Sequence, residues 1–144
     1  MDRTELAQVF NDSYERVTNT PKKSGEFFST FYALLIADNP EVANKFRNTD
    51  MHRQVQMLKT SVAVLLSYYG TDDQDDYLRK MAERHSKKDV DIPPRLYSVW
   101  LDSLIETVRL FDPKFNDAVA VAWRRVFEKG IEFMTSRYEG REKT

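Results

Sequence analysis

Apolar residues recur at intervals of three and four along nearly the whole chain, the spacing of helices with one buried face. Leu6, Val9, Phe10, Ser13 and Val17 form the first stripe and predict a helix from about Thr4 to Val17. Thr18-Asn19-Thr20-Pro21 breaks it. Ser24 can cap a second helix, with Phe27, Phe28, Phe31, Tyr32 and Leu35 on its inner side. Asn39-Pro40 ends that helix, because the residue before a proline is pushed out of the α region. Pro40 to Phe46 then reads as a short helical turn that delivers Phe46.

Thr49 or Asp50 can cap the next helix, which runs to about Tyr69 on a stripe of Leu58, Val62, Leu65, Leu66 and Tyr69. Gly70 suits the position just past its end. An acidic loop, Thr71 to Asp76, leads into a helix with Tyr77, Leu78, Met81 and Ala82 that reaches His85. Ser86 to Asp91 is a polar connector. Pro93 and Pro94 suit the first turn of a helix, where their missing N–H groups would have no partner. Val99, Trp100, Leu104, Val108 and Phe111 continue that helix to the break at Asp112-Pro113. Asp117 opens the last one, with Val119, Trp123, Val126, Phe127, Gly130, Ile131, Met134 and Tyr138 inside. Residues 139–144 read as a frayed polar tail. The expectation is one all-α domain over residues 1–144, with about six main helices and a short turn at Pro40. No heptad pattern persists, so it is not a coiled coil.

Composition narrows the chemistry. A chain of 144 residues suits one domain with a substantial core. It has no cysteine, which excludes disulfides, thiolate metal sites and covalent haem attachment through C-x-x-C-H. Only four glycines occur, too few for the turns of a sandwich or a doubly wound sheet, and the phosphate-cradling glycine motifs are missing. The net charge of -1 gives no general basis for binding nucleic acid or an acidic membrane. No apolar run approaches the length of a bilayer span. Met1-Asp2-Arg3-Thr4-Glu5 is acidic and without an apolar core, so no signal peptide and a cytoplasmic location are expected. Aromatic residues make up 12% of the chain, enough to surround something flat and apolar or to pack on one another.

Two histidines remain as candidates. No G-x-S-x-G elbow supports a Ser-His-Asp triad. Neither His52 nor His85 has a glutamate three residues before it, which removes a di-iron carboxylate bundle. His85 follows Met81 by four and Leu78 by seven, so it lies on an apolar helix face, as a core residue or as a ligand. His52 sits in a first helical turn beside Val55, Gln56 and Lys59 and reads as a surface histidine.

Several strings fall in a telling order: "FFSTFYALLIADNPEVANKF" from Phe27 to Phe46, "QVQMLKTSV" from Gln54 to Val62, Arg84-His85, and Ala122-Trp123. With these landmarks the chain resembles the globin family from Leu6 to Tyr138, most closely the bacterial single-domain globins and the haem domain of flavohaemoglobins. The resemblance implies a three-over-three helical sandwich around one non-covalent haem b. It implies His85 as the proximal iron ligand, Phe46 stacked on the porphyrin, Tyr32 and Gln54 as a distal pair, Leu58 above the iron, and Tyr97 on the proximal side. Val90 and Met81 fall in the same pocket region, and Lys87 and Lys88 can pair with the propionates. A register slip of the helix from Asp50 would instead bring His52 in as a sixth ligand.

The implied function is reversible binding of O₂, CO or NO as carrier, store or sensor, with a separate signalling partner in the last case. The alternative is a nitric oxide dioxygenase or peroxidase-like globin fed by a separate reductase. A phenol and an amide in a water-poor pocket can both donate to bound dioxygen, which carries negative charge. The chain departs from the flavohaemoglobin pattern twice. The connector from Ser86 to Leu96 is longer than usual in that branch. The position of a proximal glutamate falls at or near Tyr138, and Glu139 would point about 100° away on an ideal helix. The long connector bears on the proximal placement of Tyr97, whereas the missing proximal glutamate, together with the lack of a reductase domain, favours reversible ligand binding or sensing over self-sufficient dioxygenation.

Overall fold

The computed structural model describes residues 1–19 and 26–139. The expected cap at Ser24 and the tail from 140 onward lie outside them. Among the described residues seven helices follow in order: α1 (Arg3–Thr18), α2 (Phe27–Asp38), α3 (Pro40–Lys45), α4 (Met51–Thr71), α5 (Asp76–Arg84), α6 (Arg95–Phe111) and α7 (Asp117–Ser136). Short acidic or amide side chains start four of them. Asp2, Asp50, Asp75 and Asn116 each accept a hydrogen bond from the backbone N–H three residues on, removing one unpaired donor from the first turn.

Three boundaries differ from the sequence reading. Gly70 lies inside α4, and the left-handed residue that stops the helix is Asp72, at φ 61°. An aspartate tolerates that conformation better than most residues, and here its carboxylate is held by Lys129 and Arg3. Pro93 and Pro94 precede α6 and do not form its first turn; their carbonyls accept from the Leu96 and Tyr97 amides. Tyr138 lies past the end of α7, where its hydroxyl donates to the Asp91 carboxylate at 2.5 Å.

Helix contacts define two layers. α1 meets α4, and α4 meets α5; α2 meets α6, and α6 meets α7. α7 crosses α1, α4 and α5 and so joins the layers, while α3 hangs from α2. This is a three-over-three helical sandwich, the arrangement that the sequence resemblance implied. Phe10, Phe27, Phe111, Trp123 and Phe127 are fully buried where the layers meet, with Trp123 edge-on to Phe10 at 4.7 Å. Among the described residues no helix is long and apolar enough to cross a membrane.

A polar knot ties this core. Trp123 Nε1 donates to Ser13 Oγ at 2.9 Å, and Ser13 Oγ donates to Asp112 Oδ2 at 2.6 Å. Arg16 donates twice to the same carboxylate, at 2.7 and 2.9 Å. The backbone N–H of Lys114 adds a further bond at 2.8 Å. Burial pushes the Asp112 carboxyl up, but the bonds from Arg16, Ser13 and Lys114 outweigh it and hold the group below the ordinary carboxylate value.

Candidate cofactor cavity

The helices that carry the predicted site residues converge on one cavity of about 310 Å³. Tyr32 comes from α2, Gln54 and Leu58 from α4, Met81 from α5 and Tyr97 from α6; Phe46 and His85 stand at the ends of α3 and α5. Leu35, Leu65, Trp100, Phe127 and Ile131 complete an apolar interior. The volume lies at the lower end of the range of roughly 300–1,000 Å³ for small-molecule sites.

His85 caps α5, which fixes its ring. Nδ1 lies 2.7 Å from the Met81 carbonyl oxygen. A carbonyl can only accept, so Nδ1 carries the proton and the Nε2 lone pair is left for a ligand role. Burial lowers the imidazole's affinity for a second proton; the bond to Met81 acts against this, and the Arg84 charge adds to it. The ring is therefore neutral near pH 7. Among the described residues no three side chains of His, Cys, Asp or Glu cluster as a metal site. A lone imidazole can hold a metal firmly only if the metal arrives with its other ligands.

Tyr32 and Gln54 meet across α2 and α4. Gln54 Nε2 donates to Tyr32 Oη at 3.2 Å. Burial raises the phenol pKa to about 12, with the Gln54 bond pulling the other way, so the hydroxyl keeps its proton. Since Oη accepts from Gln54, its own proton is free to be donated elsewhere. The Phe46 ring stands 5.5 Å from the Tyr32 ring, edge to face.

The sequence matches no family model and no curated protein sequence. The fold does match the crystal structure of a protein from Pseudomonas aeruginosa PAO1, described as structurally highly homologous to a human hemoglobin. The match has a TM-score of 0.85 and 32% identity, over 92% of this chain and 98% of that one. The chain belongs to the globin family.

Against that family pattern, the globin brings some predicted residues together and leaves others out. His52 is exposed, on the outer side of α4, and does not line the cavity; the register needed for a sixth ligand is not the one adopted. Val90 is half-buried but also off the wall: its carbonyl accepts from Lys45 Nζ at 3.3 Å, and Ile92 lines the cavity in its place. Lys87 points away, toward Glu139 at 3.9 Å. Among the described residues the cations that line the cavity are Lys45, Lys80 and Arg84. Lys80 and Arg84 could have been found in the sequence, because they stand three and seven residues after Tyr77, and Tyr77 lines the cavity too. Tyr97 is buried on the wall, yet its hydroxyl turns to the Met134 sulfur at 4.0 Å, while the Met81 carbonyl serves His85. Among the described residues no aspartate or glutamate lines the cavity.

Proposed function

We propose that this globin holds one haem b without a covalent bond and reversibly binds a diatomic gas, O₂ foremost and also CO and NO. The residues fit such a group. The interior is apolar, as a porphyrin requires. His85 offers a neutral Nε2 as axial ligand. Lys45, Lys80 and Arg84 supply charges for the two propionates. Bound there, the haem supplies an iron with one open position for a small ligand.

The observation that carries the reading is the Gln54–Tyr32 hydrogen bond in the same cavity as His85. It orients the phenol and leaves its proton to a ligand. A hydrogen bond to a charged acceptor contributes about 1.5–3 kcal/mol, and water cannot compete for it inside a dry pocket. The proximal side supports reversible binding over dioxygenation. A carbonyl partner makes His85 less electron-donating than a carboxylate would, and among the described residues no carboxylate is on the wall. Carrier, store and sensor roles all use this one site.

Hemin titration followed by spectra of the ferric, ferrous and CO forms tests the cofactor. One hemin per chain, with a five-coordinate ferrous form, is the expected result; no uptake overturns the reading. Stopped-flow O₂ displacement tests the distal role. Tyr32→Phe removes one hydroxyl and keeps the ring, so O₂ dissociation should accelerate about tenfold or more. CO, which carries less negative charge when bound, should respond less. An unchanged O₂ rate in Tyr32→Phe, with a large change in Gln54→Leu, would transfer the role to Gln54.

A further inference from the structure

Gly130 is buried in α7, on a helix that crosses α4. Its φ is not in the left-handed region, so the backbone there does not need a glycine. Space does. A Cβ built at this position would lie 2.1 Å from Leu65 Cδ2, far inside carbon–carbon contact distance. The tip of Leu65 occupies the room that any other residue at 130 would claim. Leu65 is only 3% exposed, and it lines the cavity. The protein interior is close-packed, and the open volume that Leu65 borders is the cavity it lines, so a displaced Leu65 tip moves toward it.

We infer that Gly130 sets the depth of the cavity: without a Cβ, it lets Leu65 lie back against α7 and keeps clear the space that a flat macrocycle needs. The inference rests on the haem reading above. It also accounts for a poor helix former in mid-helix. Gly70, inside α4, makes no such demand, since a Cβ there would meet nothing within 4 Å. Gly70→Ala is therefore the control for helix propensity alone.

Three variants decide the matter: Gly130→Ala, Gly70→Ala and the double variant Gly130→Ala/Leu65→Ala. Hemin transfer to an acceptor protein gives the dissociation rate, thermal melting of the haem-free chain gives the fold, and titration with the dye ANS reports cavity space without haem. Gly130→Ala should lose hemin about tenfold faster or more, the effect of overpacking. Its haem-free form should melt at or above the wild-type temperature, because Ala favours the helix and Leu65 fills a void. The double variant should regain hemin, and Gly70→Ala should retain it as the wild type does. Unchanged hemin loss in Gly130→Ala overturns the inference. So does a parallel loss of stability with and without haem, or a double variant that is not restored. If the wild-type chain took up no hemin, the haem reading would fall, and ANS would judge the cavity alone. Weaker ANS binding by Gly130→Ala would uphold the inference, and equal binding would overturn it.

Discussion

Replacing His85 by alanine should strip the globin of firmly held haem while leaving the haem-free fold nearly intact. The backbone N–H of His85 still bonds the Met81 carbonyl in the variant, and only the ring's bond to that carbonyl disappears. That loss costs the haem-free chain about 1 kcal/mol. On the haem reading proposed above, the cofactor would lose the ligand assigned to its proximal side. Mutating a partner one shell further out typically costs about 10–100-fold in metal affinity, so hemin transfer from His85→Ala should quicken by more than about a hundredfold. The gap in melting temperature between haem-loaded and haem-free protein should shrink with it, since bound cofactor stabilises by mass action. Added imidazole, able to enter the space the ring leaves, should restore a histidine-like ferrous spectrum. Full haem retention with an unchanged ferrous spectrum would show that His85 is not the ligand.

Asp112→Ala should cost about 3 kcal/mol or more of folding stability, because it removes the acceptor at the centre of a buried network. Ser13 loses the acceptor for its proton, and Arg16 loses both of its bonds to the carboxylate. That is a large share of the total stability of a small domain. The effect should depend on pH in one direction. The folded-state pKa of Asp112 lies below its ordinary value of 3.8. Its stabilising contribution is therefore complete above that value and is lost as the pH falls below it through the folded-state pKa. Urea unfolding of wild type and Asp112→Asn should show a gap that is constant near neutrality and narrows in acid. A gap independent of pH would mean that the ionised carboxylate is not what holds the knot. Ser13→Ala should give a smaller loss, since the Arg16 pairing survives it.

Much of the cavity wall was legible because it lies on short stretches of periodic sequence. His85, Met81 and Leu78 share a helix face by count alone, and Leu78 is fully buried while the other two reach the cavity. Tyr32 and Phe46 are set by short counts on either side of Pro40, and the two rings do meet. Lys87 and Val90 failed for a local reason. They sit in a connector with no period, and its path is set by bonds to distant parts of the chain: Lys87 N–H to the Tyr138 carbonyl, and Lys45 to the Val90 carbonyl. Asp91 takes φ 58° in the same stretch, a conformation that no apolar pattern announces.

The residue pattern alone determined that the chain is helical, which faces are apolar and which histidine stands on one. Those are properties of residues three or four apart, and local periodicity reports them. The tertiary structure decided everything that depends on how helices cross. Asp112 reads in sequence as a helix breaker, and it becomes the centre of the core's polar knot only when folding brings Ser13, 99 residues away, against it. Gln54 and Tyr32, 22 residues apart, become a donor pair only where α2 and α4 meet. Gly130 reads as one apolar-face residue among several, and its missing Cβ acquires a purpose only because Leu65 lies across from it. Spacing along the chain fixes which way a side chain faces on its own helix; which side chain it then meets is set by the packing of helices far apart in sequence.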